Sequence, residues 1–279
     1  FFIKMETKKN NISAILCVFN EIGNISIIEK NIKNNQFSEL IILDGGSSDG
    51  TFERLLTHKN IQLYKFKNTG LLERYLYGVK KSKKPMVFLF CADDDVTTLD
   101  FDKLKSEFYK LNADGIQIRP LSKDYGEYWS NSWSEYFKLI CQTHKEVVCL
   151  GRPCLTLSKF FDGINVDRDI FCDDTYLKYE QDLLFGKLSY FASQQSIFRE
   201  MPQGFKRNIK KFISYGRSDV VVVENNLSRF FNLLYHSLIR IAVLRSIKLI
   251  LKGKFKSSFF TLTMGLFRGC SMLFYKIKK

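Results

Sequence analysis

Apolar runs of strand length alternate with amphipathic stretches through the first third of the chain. NISAILCVFN (11–20), ELIILD (39–44), IQLYKF (61–66) and PMVFLF (85–90) each read as a strand with little polar relief on either face. Between them, Asn24 opens a helix running to about residue 34. Asp49 caps a helix over 50–57, and Thr69 opens a third to about residue 83. Strands buried on both faces and separated by helices predict an α/β fold: a mainly parallel sheet flanked by helices on both sides. No internal repeat or low-complexity linker breaks the pattern.

Two of the strands end in acid. ELIILD closes on Asp44 and runs into Gly45-Gly46-Ser47-Ser48-Asp49-Gly50, and PMVFLF runs into Cys91-Ala92-Asp93-Asp94-Asp95. In open α/β sheets ligands bind beyond the carboxyl ends of the strands. Glycines there let the backbone turn sharply, so that a flat or charged ligand can approach. Two acidic strand ends on one edge therefore predict one pocket. An EF-hand is excluded, because the sixth and twelfth positions counted from Asp93 are Thr98 and Leu104 rather than Gly and Glu.

Charge changes the picture at the other end. The chain of 279 residues carries +14, but residues 227–279 hold eleven Lys or Arg and no acid; the other 32 basic residues face all 29 acids in 1–226. The body is near neutral, which argues against a nucleic-acid partner, and the excess sits in an apolar tail. Arg245, Lys248 and Lys252 share one helical face while Arg229, His236 and Arg240 fall on another, so the tail is expected to break into two helices. A span over 257–275 would place Arg268 inside the bilayer, at about 2.5–3.5 kcal/mol. Helices lying in the interface of an anionic membrane, on its cytoplasmic face, fit better. An oligomer interface is the competing reading of the same apolar residues. Seven scattered cysteines without a CxxC pair fit reduced, cytosolic thiols, and His58, His144 and His236 have no metal-ligating neighbours at suitable spacing. FFIKM (1–5) is too short for a signal peptide, and Met5 is a candidate natural start.

ILCVFNE, LDGGSSDGT and NTGLLERYLYGVKKSKKPMVFLFCADDD, in that order over residues 12–95, resemble the conserved blocks of family 2 glycosyltransferases of the GT-A fold. Gly45 stands where the family commonly has a second aspartate, and Tyr75 replaces an asparagine beside the retained Arg74. DDTYLKYEQDLLFGKLSYF resembles the family's Glu-Asp-x-x-Leu helix start with Asp173-Asp174 in place of Glu-Asp, and KKFISYGRSD resembles the basic helix that follows. The Gln-x-x-Arg-Trp signature of processive synthases is missing.

The resemblance implies a Rossmann-like GT-A domain over 1–226, with a nucleotide half (about 12–98) and an acceptor half (about 99–226); the charge pattern adds a membrane-associating helical tail at 227–279. It implies an inverting transfer of a sugar from a nucleoside diphosphate donor, UDP first, to a hydroxyl of a lipid-linked or cell-surface glycan, with Mn²⁺ or Mg²⁺ as cofactor. Asp44 would accept a hydrogen bond from the base; its structural alternative is to close the turn. Cys17, Phe19 and Asn20 would line the same pocket, and Arg74 would lie near the phosphates. Asp93 or Asp94 would reach the ribose, and Asp95 would ligate the metal. Asp174 would be the general base, ahead of Asp173 and Asp182; the alternative is a helix cap. An inactive membrane adaptor and a sugar-nucleotide nucleotidyltransferase are the rival functions. ILCVFNEIGNIS lacks the phosphate loop that the latter needs.

Overall fold

Four parallel strands lie where the apolar runs place them: β1 (Asn10–Val18), β2 (Phe37–Asp44), β3 (Gln62–Lys65) and β4 (Met86–Phe90). The computed structural model describes residues 10–34, 36–67, 69–123, 126–166, 173–223 and 226–277. Met5 therefore lies outside the described residues. The sheet continues through β5 (Asp94–Asp95), β6 (Gly115–Leu121), β7 (Cys154–Leu157) and β8 (Tyr190–Arg199), in the order β3-β2-β1-β4-β7-β6-β8-β5. β7 runs antiparallel between β4 and β6, while β6 and β8 pair in parallel. The mainly parallel α/β sheet expected from the sequence is present. The antiparallel β7 is new, and it joins β4 to β6.

Period-two alternation inside β1 explains why it reads as apolar throughout. Ile12, Ala14 and Leu16 face one core layer with Phe37, Phe88 and Phe101, whereas Ile15 and Cys17 face another with Leu43, Leu72 and Tyr75. Helices α1 (Ile25–Asn34), α2 (Thr51–Leu55) and α3 (Leu71–Lys81) connect the parallel strands. On α3, Leu72, Tyr75, Gly78 and Val79 form the buried stripe. A Cβ at Gly78 would lie 2.6 Å from Ile15 and 2.7 Å from Leu43, so glycine lets this helix sit directly on the sheet. Helix α4 (Phe101–Lys110) is capped by Asp100, whose carboxylate accepts from the Asp102 and Lys103 amides.

The second half adds α5 (Tyr128–Ile140), α6 (Asp173–Phe185) and α7 (Phe205–Val223). The tail folds as a broken hairpin. One arm is α8 (Leu227–Tyr235), a π-helical stretch (His236–Arg245) and α9 (Ser246–Leu251). After a turn through Gly253 (φ +70°) the other arm, α10 (Phe255–Ile277), returns across α7 and α5. The break expected in the tail is thus observed.

Small residues seat α10. A Cβ on Gly265 would lie 2.5 Å from both Ala242 N and Ser237 O, and one on Gly269 would strike Leu238. Phe260 and Met264 pack with Trp133 and Phe212. Arg268, an obstacle to a membrane span in the sequence, donates to the buried Asp219 of α7 at 2.6 and 2.8 Å. Large apolar side chains point outward instead, among them Phe231, Leu251, Phe255, Phe259 and Phe274, each more than half exposed. Among the described residues no helix is long and apolar enough to cross a membrane.

Candidate active site

Asp44 ends β2 fully buried. Its Oδ1 accepts from the Gly46 and Ser47 amides at 2.8 and 2.9 Å, which closes the turn, while its buried Oδ2 has no partner among the described residues. The expected turn-closing contact and the expected free acceptor are therefore both present, one on each oxygen. Gly46 and Gly50 take positive φ (92° and 93°), which the loop needs to fold back over the strand end. Asn20 (φ +55°) pins the loop: its amide donates to Ser47 Oγ and its Oδ1 accepts from Ser48 N, both at 2.9 Å. Asp49 bridges the same two segments, accepting from Ile22 N at 3.0 Å and from Thr51 Oγ1 at 2.6 Å.

Arg74 is buried rather than solvated, and its guanidinium fills the space beside Gly45, where a Cβ would land on Nη1. Nη1 donates to Val18 O at 3.3 Å, and Nε has no partner among the described residues. Phe19, just past β1, is 54% exposed, whereas Cys17 is buried in the core against α3. Of the three residues expected to line the nucleotide pocket, Phe19 and Asn20 follow β1 on the loop side and Cys17, inside the strand, faces the core.

At the second acidic strand end the three aspartates separate. Asp95 is bound on both oxygens: Lys30 and Lys123 donate to Oδ2 at 2.7 and 3.1 Å, and Thr97 Oγ1 donates to Oδ1 at 2.6 Å. Burial works to raise its carboxyl, but these bonds hold it well below the usual carboxylate range. Asp94 is fully buried in a two-pronged pair with Arg199 (2.6 and 3.0 Å) and also accepts from Cys91 N at 2.7 Å. Burial pushes Asp94 up against the pull of Arg199, and Arg199 is held well above its ordinary value. Asp93 is the open member, 30% exposed and 3.7 Å from Arg199.

The ligand atoms of Cys91, Asp93 and Asp94 lie within 4.8 Å of one another and can converge on a cation. Asp95, the expected ligand, is outside this group, and both of its oxygens already accept from Lys30, Lys123 and Thr97. Two carboxylates suit Mg²⁺ or Mn²⁺. The Cys91 thiol is pushed up to about 12, chiefly by burial, and stays protonated at neutral pH.

Glu21 feels Asp93 and Asp49, and burial first and these charges second raise its carboxyl. Asp174, at the start of α6, accepts from Thr175 N at 2.9 Å and from Cys149 Sγ at 3.6 Å. Asp182 is bound by Lys178 on the surface. The Asp173 side chain lies outside the described residues. Sequence reasoning missed Cys91, Arg199 and Glu21. Cys91 was detectable as the first residue past β4, two and three positions before Asp93 and Asp94. Arg199, 105 residues from Asp94, left no local signal.

Residues 13–171 match the profile of Glycosyl transferase family 2. No curated protein matches the chain. Among solved structures, S. aureus TarS superposes with a TM-score of 0.54 at 14% identity, covering 86% of this chain and 45% of that one. Mannosyl-3-phosphoglycerate synthase from Rubrobacter xylanophilus gives 0.54 at 12% identity, over 79% of this chain and 75% of that one. Glucosyl-3-phosphoglycerate synthase from Mycobacterium tuberculosis, in complex with Mn²⁺, UDP-glucose and phosphoglyceric acid, gives 0.51 at 13% identity, over 78% and 79%. These likenesses establish the GT-A fold.

Proposed function

The chain belongs to glycosyl transferase family 2, and from that premise we propose that it moves a sugar, with inversion, from a nucleoside diphosphate donor to an acceptor hydroxyl. The observation that carries the donor site is the unpartnered Asp44 Oδ2 at the carboxyl edge of the sheet. A buried acceptor without a donor costs free energy that a bound base can recover through its N–H. UDP is the donor nucleotide we favour, as in the complexes of TarS with UDP-GlcNAc and of the mycobacterial synthase with UDP-glucose.

Roles follow from position. Asp44 orients the base, with Phe19 over the mouth of the pocket. Asn20 and Asp49 hold the glycine-serine loop against β1, and Arg74 stiffens it from behind. Asp93 and Asp94 would hold Mg²⁺ or Mn²⁺, and Arg199 fixes Asp94. A divalent ion there would supply charge neutralisation to the departing diphosphate. Asp174 takes the proton from the acceptor hydroxyl as that oxygen attacks the anomeric carbon, with inversion at that carbon. The acceptor we favour is a lipid-linked or cell-surface glycan.

Residues 1–226 carry this chemistry in our reading, and 227–279 hold it to the cytoplasmic face of an anionic membrane. Outward Phe and Leu side chains with eleven bases and no acids support that assignment. The test of function is metal-dependent release of UDP from UDP-sugars by wild type and by Asp44→Asn. Loss of UDP selectivity in the variant is expected. Equal activity on UDP-, GDP- and dTDP-sugars in both proteins would refute the donor assignment.

A further inference from the structure

Resting on the transferase reading above, we propose that Arg152 grips the diphosphate of the nucleotide donor beside the acidic turn, so that part of the donor's affinity is independent of the metal. The antiparallel β7 puts it there. Val87 pairs with Thr156 and Leu89 with Cys154, and the same register carried past both strand ends sets Arg152 opposite Cys91. Cys91 opens the acidic turn and shares the candidate cation cluster with Asp93 and Asp94. The Arg152 guanidinium is among the charges that act on the Cys91 thiol, so the side chain as well as the backbone stands at the turn.

Contacts at both ends of the residue fix it to that turn. Its carbonyl oxygen accepts from Arg199 Nη2 at 3.0 Å, and the same nitrogen donates to Asp94 Oδ2 at 3.0 Å. Its guanidinium lies over the Tyr75 ring, 4.4 Å from the centre, and the Tyr75 hydroxyl donates to Phe90 O at 2.7 Å. Tyr75 is buried, which makes the ring a fixed platform, while Arg152 is half-buried. Just before it, the Gly151 amide donates to Gln117 Oε1 at 3.2 Å. A guanidinium held over an aromatic face keeps its N–H edges available for a two-pronged bond to phosphate and loses little freedom on binding. Tyr75 stands where the resembled family has an asparagine, and an asparagine has no ring to seat an arginine.

Charge asks for such a residue. Asp93, Asp94, Arg199 and one divalent ion together carry a single positive charge, and the Cys91 thiol stays neutral. A diphosphate brings more negative charge than that, and more develops on it as the sugar departs. An arginine opposite Cys91 supplies the balance without occupying a ligand position on the metal.

The experiment is calorimetry of UDP and of uridine on the full-length protein, each with Mn²⁺ and with EDTA. Arg152→Gln should weaken UDP about 10–100-fold, the worth of one charge-assisted bond, in both media. Uridine, which lacks the phosphates, should bind the variant like wild type and so reports that the donor pocket is folded. Arg152→Lys keeps the charge but not the fork, and should recover only part of the loss. An Arg152→Gln variant that binds UDP like wild type, or that loses uridine as much as UDP, would overturn the proposal. A loss seen only with Mn²⁺ would overturn it too, by assigning Arg152 to the seating of Arg199 and Asp94. Failure of the donor reading would look different: wild type would bind neither uridine nor UDP, and the role of Arg152 would fall with it.

Discussion

Gly45 and Arg74 compete for one volume. Any side chain on residue 45 would begin on the Arg74 guanidinium, which itself reaches across to Val18 O behind the β2 turn. The glycine at 45 thus leaves open the volume that Arg74 fills. Gly45 does not take a positive φ, so only its side chain is constrained. Gly45→Ala should lower stability by about 1–3 kcal/mol through overpacking. In the Arg74→Ala background most of that cost should vanish, a coupling that a thermal-denaturation double-mutant cycle measures.

Asp93 and Asp95 should part company in metal titrations. Asp93→Asn is expected to remove at least about 10-fold of the Mn²⁺ enhancement of UDP affinity, read by calorimetry. Asp95→Asn should keep the enhancement but melt earlier, since Lys30 and Lys123 lose the carboxylate between them. The reverse pattern would return the metal to Asp95.

Transfer, not donor binding, should depend on Asp174. Asp174→Asn is expected to lower the transfer rate about 10²–10⁴-fold with UDP affinity intact. Asp182→Asn should be near wild type, because Asp182 only pairs with Lys178 on the surface of α6. A dead Asp182→Asn beside an active Asp174→Asn would reassign the base.

Acid should loosen the hairpin before it reaches the sheet. His236 is held neutral, its value lowered from 6.5 to about 3 by burial first and by Arg268, Arg245 and Arg240 next. A depressed histidine is protonated in the unfolded chain but not in the folded one between those values, so stability falls as pH drops through that window. The loss should reach the order of 2 kcal/mol by pH 4. His236→Gln should flatten the melting-temperature profile between pH 6.5 and 4. Asp95, also lowered but from the carboxylate range, should contribute its own loss only below about pH 4.

Flotation with liposomes tests the outward face of the tail. Full-length protein should float with anionic vesicles and lose only part of that binding at high salt, because apolar insertion survives screening. Phe255→Ser with Phe259→Ser should abolish the salt-resistant part. A salt-independent oligomer that ignores vesicles would assign the surface to a second copy.

What could be read from the sequence was what repeats locally. β1 to β4 announce themselves as apolar runs, and Asp44 marks the strand end where its loop begins. The antiparallel β7 is four residues long and carries no periodic signal of its own. The pairs that decide the acidic turn, Arg199 with Asp94 and Lys30 and Lys123 with Asp95, join residues 105, 65 and 28 positions apart. No local pattern encodes such distances, so three adjacent aspartates look alike until the fold sorts them. In the tail the outward Phe and Leu were legible. The seat made by Gly265, Gly269 and Gly216 was not, because small residues mark a helix contact only once the facing backbone is known.

The two-residue β5 has a consequence for how the molecule behaves in a crowded solution. β8 would be the last long strand of the sheet, and a bare strand edge invites pairing with another chain. At one end the segment around Glu146 shields it, through His144 N to Ala192 O and Val147 N to Tyr190 O. At the other end the shield is Asp94 and Asp95, paired with Arg199 and Phe198. The acidic turn is therefore a guard against self-association as well as the rim of a pocket. Lesions there should be found in the insoluble fraction as often as in the activity assay.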